Sequence, residues 1–181
     1  MTYTRFTKRF SLYGCLFLTL SIQSGCTVAV GNQGRQICQK QGTSVLVRGD
    51  LSTLFLCEKG QGKKAYAVAF GSGGLGKERV GDGKTPVGRF KLRRPRPSVS
   101  GFKTFIGIVL PRKVGIAVGI HGPTRRTRWL GSANTLVDWT AGCIAVSSDA
   151  EIDEIAAFVR KNPRARIHIT RDAMEATSAK R

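Results

Sequence analysis

The sequence predicts a mainly β domain with one helix after residue 147. Three observations carry that reading: short apolar runs split by turn dipeptides, 22 glycines in 181 residues, and a single stretch of helical period. Ser44–Arg48 reads as a strand, Gly49-Asp50 as its turn, and Thr53–Cys57 as the returning strand. Gly60-Gln61-Gly62 turns the chain again into a third strand, 65–70. Residues 71–86 hold six glycines and lack phosphate-loop spacing, so they are assigned to turns that need positive φ. Gly88–Leu92 alternates as a strand, and 93–97, with three arginines and two prolines, as an exposed extended loop. Two further strands are expected at 104–110 and 115–121. In the second, Ile116, Val118 and Ile120 face a core while Ala117, Gly119 and His121 share the other face, which leaves space beside the imidazole. Residues 123–137 have no clear period and read as a loop over a groove. Ser148 with Glu151 forms a capping box, Ile152, Ile155, Ala156 and Val159 follow at helical spacing, and Asn162-Pro163 stops the helix. The last strand is 166–170, with His168 pointing outward as an exposed bystander.

The N-terminus sets the expected address. Arg5, Lys8 and Arg9 precede an apolar run from Leu12 to Ile22, and Ser24-Gly25-Cys26 follows. This pattern reads as a secretory signal over 1–25, too short to span a bilayer comfortably. Cys26 is a candidate lipidation site, which would tether the protein to a membrane; simple export to the periplasm or envelope is the alternative. Residues 26–42 are expected to be a flexible segment, 43–170 the domain, and 171–181 a disordered basic tail. The formal charge is +19; without the three basic residues of 1–25 it stays near +16. Such a charge favours polyanions. For an exported chain with scattered basic residues, a wall polymer or membrane surface fits better than nucleic acid, which is not expected as a partner.

Five cysteines narrow to three in the domain, because Cys15 leaves with the signal and Cys26 is terminal or lipidated. Cys38 and Cys57 flank one hairpin and are the candidate disulfide, with full reduction or a bridge to Cys143 as the other pairings. Two histidines, no CxxC and no HxxxH argue against a zinc site, and no cofactor is expected.

Cys143 lies twenty-two residues after the His121-Gly122 pair. A thiol needs a base to become a nucleophile at neutral pH, and a histidine supplies one. Asp138 is near Cys143 in sequence rather than His121, so the Gly122 carbonyl is the candidate for holding the ring's second nitrogen. Gly142 lets a substrate approach the backbone, and the amides of Gly142 and Cys143 are candidate oxyanion donors.

Three blocks carry a resemblance: Val80–Phe90 (VGDGKTPVGRF), Ile120-His121-Gly122, and Thr140-Ala141-Gly142-Cys143-Ile144. In order and spacing they resemble the L,D-transpeptidase catalytic domain, the YkuD family, over about residues 43–170. The resemblance implies a YkuD-type β-sandwich or barrel-like domain with one helix after the catalytic cysteine. It implies that Cys143 attacks the carbonyl between diaminopimelate and D-alanine in a peptidoglycan stem peptide, releasing D-alanine and leaving a thioester that an amine or water resolves. His121 matches the base, Gly122 the orienting carbonyl, and Thr140, Ala141 and Gly142 the oxyanion and substrate-binding positions. Two positions depart: Ala141 where many members carry histidine, and Ala145 where many carry an arginine for a substrate carboxylate. Arg125, Arg126 and Arg128 are the candidates to replace that arginine. The run Asp138–Val146 resembles the YafK-type branch, which includes hydrolases. Crosslinking transfer, hydrolysis of the same bonds and an inactive basic wall-binding module are therefore the three readings.

Overall fold

The computed structural model describes residues 36–98, 100–114 and 117–178. The expected signal, Cys15 and the lipidation candidate Cys26 lie outside the described residues.

Among the described residues nine strands run β1 Ser44–Arg48, β2 Thr53–Glu58, β3 Gln61–Ala69, β4 Gly88–Leu92, β5 Arg96–Pro97, β6 Thr104–Val109, β7 Gly119–His121, β8 Ile144–Val146 and β9 Arg166–Thr170. Helix α1 spans Asp149–Lys161, and a short α2 spans Ala173–Ser178. The strand order is β4-β9-β1-β2-β3-β8-β7-β6-β5. Because β4 also pairs with β6, eight strands close into a barrel, and β5 pairs further along the same edge of β6 as β4. Closure leaves few open edges, which suits a chain of many short strands.

The alternation read from sequence explains the interior. Val45, Val47, Leu54, Leu56, Ile167 and Ile169 point inward and join Ile106, Ile120 and Ile144 in one buried cluster. Helix α1 lays Ile152, Ile155, Ala156 and Val159 onto it. Ser148 caps α1 by accepting the Glu151 N–H at 3.2 Å. The Glu151 carboxylate reaches one residue further back than a capping box requires, to the Ser147 N–H and hydroxyl at 2.8 and 2.7 Å.

The outer face of β1 and β2 is also buried, which alternation alone does not anticipate. Residues 36–38 form a helical turn clipped to β2 by a Cys38–Cys57 disulfide with Cα atoms 5.4 Å apart. Cys38, Leu46, Phe55, Cys57 and Ala65 make a second small core there. The segment expected to be flexible over 26–42 is thus folded from residue 36, held by its sulfur bridge. His168 is likewise not an exposed bystander: its residue is 5 % exposed and its Nδ1 lies 3.1 Å from Gln41 Oε1. The tail expected to be disordered from 171 folds into α2, where Glu175 accepts from the Arg171 N–H at 2.7 Å and pairs with its guanidinium at 2.8 Å.

Two stability predictions follow from this outer layer. The disulfide closes a loop with a sequence separation of 19, so replacing Cys38 and Cys57 by serine is expected to cost about 3 kcal/mol in urea unfolding. Burial, reinforced by the nearby Arg89, lowers the His168 pKa to about 4. The unfolded chain therefore binds more protons, and this contribution to stability is full above about pH 6.5 and lost as the pH falls toward 4. Between pH 7 and 4.5 wild type should lose about 2 kcal/mol more than His168→Gln, compared by denaturant midpoints.

Candidate active site

The barrel places His121 at the end of β7 and Cys143 just before β8. β7 and β8 run parallel, pairing Ile120 with Ile144 and His121 with Ala145. The two isoleucines are fully buried in the core, so His121 and Ala145 lie on the opposite face. Continuing the register two residues back from Ala145 sets Cys143 on His121's face, one diagonal step away. That step corresponds to about 8 Å between Cα positions, a span that a thiol and an imidazole can bridge. β8 was not anticipated: three apolar residues buried on both faces give no alternation to read.

His121 is 1 % exposed. Phe102 stacks on its ring at 3.8 Å with a 17° interplanar angle, and Trp139 meets it edge-on at 5.8 Å. The Trp139 Nε1–H donates to Asn134 O at 2.9 Å, fixing that wall. The space expected beside the imidazole is therefore filled. Phe105 also covers Gly119 so closely that an added Cβ would collide with its ring. His121 Nδ1 lies 2.7 Å from the Gly122 carbonyl oxygen. In the tautomer where Nδ1–H donates to that carbonyl, Nε2 keeps its lone pair. Burial pushes the imidazole pKa down, outweighing the opposing Gly122 bond, so the ring is neutral and basic at pH 7. Asp138 does not touch the histidine; its Oδ1 accepts the Phe70 N–H at 2.7 Å.

Cys143 is the free cysteine among the described residues. Its Sγ lies 3.7 Å from the Ala117 carbonyl, to which the thiol donates. Burial pushes the thiol pKa up, and the Gly119 amide and the Lys77 ammonium pull it back. The resting pair is thus a neutral thiol beside a neutral imidazole. Proton transfer requires the thiol to turn from Ala117 toward Nε2, and such hydrogen bonds often tighten only when substrate binds.

The turn before the cysteine is held by hydroxyls. Thr140 Oγ1–H donates to the Cys143 carbonyl at 2.7 Å and Thr85 Oγ1–H to the same oxygen at 3.3 Å. Thr140 Oγ1 also accepts the Gly142 N–H at 3.1 Å. Of the two amides expected to face an oxyanion, that of Gly142 is therefore engaged, bonded back to Thr140. An added Cβ on Gly142 would lie 2.6 Å from Lys84 O. The space over this glycine holds the Lys84 backbone, not an approaching substrate. Ala141 is exposed.

Lys77 and Asp82 form a buried pair at 2.7 Å, with side chains 3 % and 8 % exposed. Asp82 also accepts the amides of Glu78, Arg79 and Lys84, and the Lys77 ammonium beside it holds the carboxyl far below its usual range. The glycine-rich segment read only as turns thus anchors a cation near the nucleophile.

A cleft of about 190 Å³ opens over Cys143, lined among others by Arg93, Arg96, Ser98, Phe102 and Phe105. Arg125, Arg126 and Arg128 are not among its lining residues, and Arg128 Nε is paired with Asp149 Oδ2 at 2.8 Å. The arginines near the cysteine in space come from the connection between β4 and β6, some fifty residues earlier in the chain. Nothing in local sequence pattern around Cys143 points to them.

The L,D-transpeptidase catalytic domain family, YkuD, matches residues 43–169. No curated protein matches the chain. Among solved structures it is similar to the helical cell shape determining protein Pgp2 from Campylobacter jejuni, at 18 % identity and a TM-score of 0.54, over 77 % of this chain and 55 % of that one. It is also similar to the catalytic domain of the E. faecium L,D-transpeptidase, at 16 % identity and a TM-score of 0.50, over 72 % of this chain and 98 % of that one. The chain thus spans just over half of the Pgp2 chain and nearly all of the E. faecium domain. At these identities the likeness speaks to the fold: a closed, mainly β sheet with one helix after the strands.

Proposed function

The chain belongs to the YkuD family of L,D-transpeptidase catalytic domains, and from that premise we propose that it is a cysteine acyltransferase acting on peptidoglycan stem peptides. One observation supports this most: Cys143 immediately precedes β8, the parallel neighbour of the strand that carries His121, and His121 Nδ1 lies within hydrogen-bond distance of the Gly122 carbonyl.

In this reading His121 Nε2 takes the Cys143 proton as Sγ attacks the stem-peptide carbonyl. The Cys143 N–H faces the oxyanion, an effect worth about 3 kcal/mol per donor. The imidazolium returns its proton to the departing amine, D-alanine leaves, and a thioester remains. An amine of a second stem or water then attacks the thioester, His121 takes a proton from the attacker, and the thiol is restored. Transfer crosslinks or anchors; water shortens the stem.

Ala141 and Ala145 in the run Asp138–Val146 favour the YafK-like branch, and with it hydrolysis as the second reading. Export to the periplasm or envelope, with Cys26 as a lipid anchor, belongs to the same proposal. A role in cell shape follows from the likeness to the helical cell shape determining protein Pgp2. Incubating the protein with purified muropeptides separates the outcomes. Crosslinked dimers support transfer and shortened monomers hydrolysis, while an unchanged profile equal to that of Cys143→Ala would leave only the inactive wall-binding reading.

A further inference from the structure

We propose that Arg93 and Arg96 form a carboxylate-binding subsite beside Cys143. Both line the cleft that also contains the cysteine. Neither is in an ion pair among the described residues, whereas seven other cations of the chain are. Unpaired arginines lining the cleft of a nucleophile are suited to an anion that the cleft admits, and the planar fork of a guanidinium matches a carboxylate.

Both residues are exposed, and each packs part of its side chain on the barrel. The Arg93 N–H donates to Gly107 O at 2.7 Å, and its stem covers Gly107 so that an added Cβ there would lie 3.0 Å from Arg93 Cδ. The Arg96 guanidinium lies over the Phe105 ring, 5.9 Å from its centroid. Arg96 and Pro97 form β5, whose pairing of Arg96 with Phe105 keeps that arrangement in register. Strand β8, which follows the nucleophile, supplies no cation: it reads Ile144-Ala145-Val146, and Ala145 is fully buried. Lys77 is buried and paired with Asp82 and does not line the cleft, whereas these arginines bring charge to its far side. That the carboxylate belongs to a stem peptide rests on the proposed function; the subsite itself does not.

The test uses alkylation of Cys143 by iodoacetate and iodoacetamide, which differ chiefly in charge. In wild type the ratio of the two rates should exceed that of N-acetylcysteine by about tenfold, the effect of one charge-assisted hydrogen bond. In Arg93→Gln/Arg96→Gln the ratio should fall toward the N-acetylcysteine value; a change in thiolate population alters both rates alike and cancels in the ratio. Glutamine keeps the aliphatic stem. Should the double variant fail to fold, Arg96→Gln alone leaves the Arg93–Gly107 packing intact and should lose part of the bias. A wild-type ratio equal to that of N-acetylcysteine, or a bias that survives loss of the guanidiniums, overturns the subsite. Acylation by a stem tetrapeptide is followed separately by intact mass. Biased alkylation without a peptide adduct keeps the subsite and discards the stem-peptide substrate; an adduct without bias does the reverse.

Discussion

Cys143→Ala is expected to lower turnover of a stem peptide by at least about 10⁴-fold, because the nucleophile and its base act as one unit. The thermal midpoint should be unchanged, since the Cys143 side chain lines a cleft and its thiol donates only to Ala117 O. His121→Gln should behave differently. It removes the base, worth about 10²–10⁴-fold, and also opens a space between Phe102 and Trp139, costing about 1–3 kcal/mol. The sequence pattern suggests that both residues merely line a groove; the imidazole in fact fills an aromatic slot. Kinetics and melting on the two variants check the split. The pH profile of wild type carries the same signature. With the imidazole lowered and the thiol raised by burial, the acid limb of kcat/KM should lie below the ordinary histidine range and the alkaline limb above the ordinary cysteine range, giving a broad plateau.

Gly142→Ala should also impair turnover, without touching either reactive atom. Position 142 has a φ of +120°, and its new Cβ would meet the Lys84 carbonyl at 2.6 Å. The strain alone costs about 1–3 kcal/mol. The Gly142 N–H and the Cys143 carbonyl both bond to Thr140 Oγ1, so any shift carries Cys143 with it. A displacement of about 1 Å can cost 10²-fold. Activity should therefore drop about 100-fold while the melting temperature also falls, measured on the same sample. Wild-type rates in this variant would show that the Thr140 turn does not position the sulfur.

The barrel was legible where a strand has a wet face or a clear turn: β4 follows its alternation, β1 and β2 their Gly49-Asp50 turn, and α1 its cap and period. Legibility failed where burial is two-sided. β8 shows three buried residues with no rhythm, and His168 obeys the alternation but meets a second layer clipped on by Cys38–Cys57. The resemblance blocks located Cys143, His121 and Gly122 because that chemistry is local in sequence. Phe102, Arg93, Arg96 and Lys77 reach the site through closure of the sheet and folding of the glycine-rich segment. Their sequence neighbourhoods offer prolines, serines and glycines that read only as loops.

Intact-protein mass spectrometry with a tetrapeptide stem tests the central claim most directly. The account predicts a mass gain equal to the stem peptide minus D-alanine, mapped to Cys143 and removed by hydroxylamine, as a thioester requires. Turnover of the stem with no such adduct on Cys143, or an adduct that persists in Cys143→Ala, would contradict it.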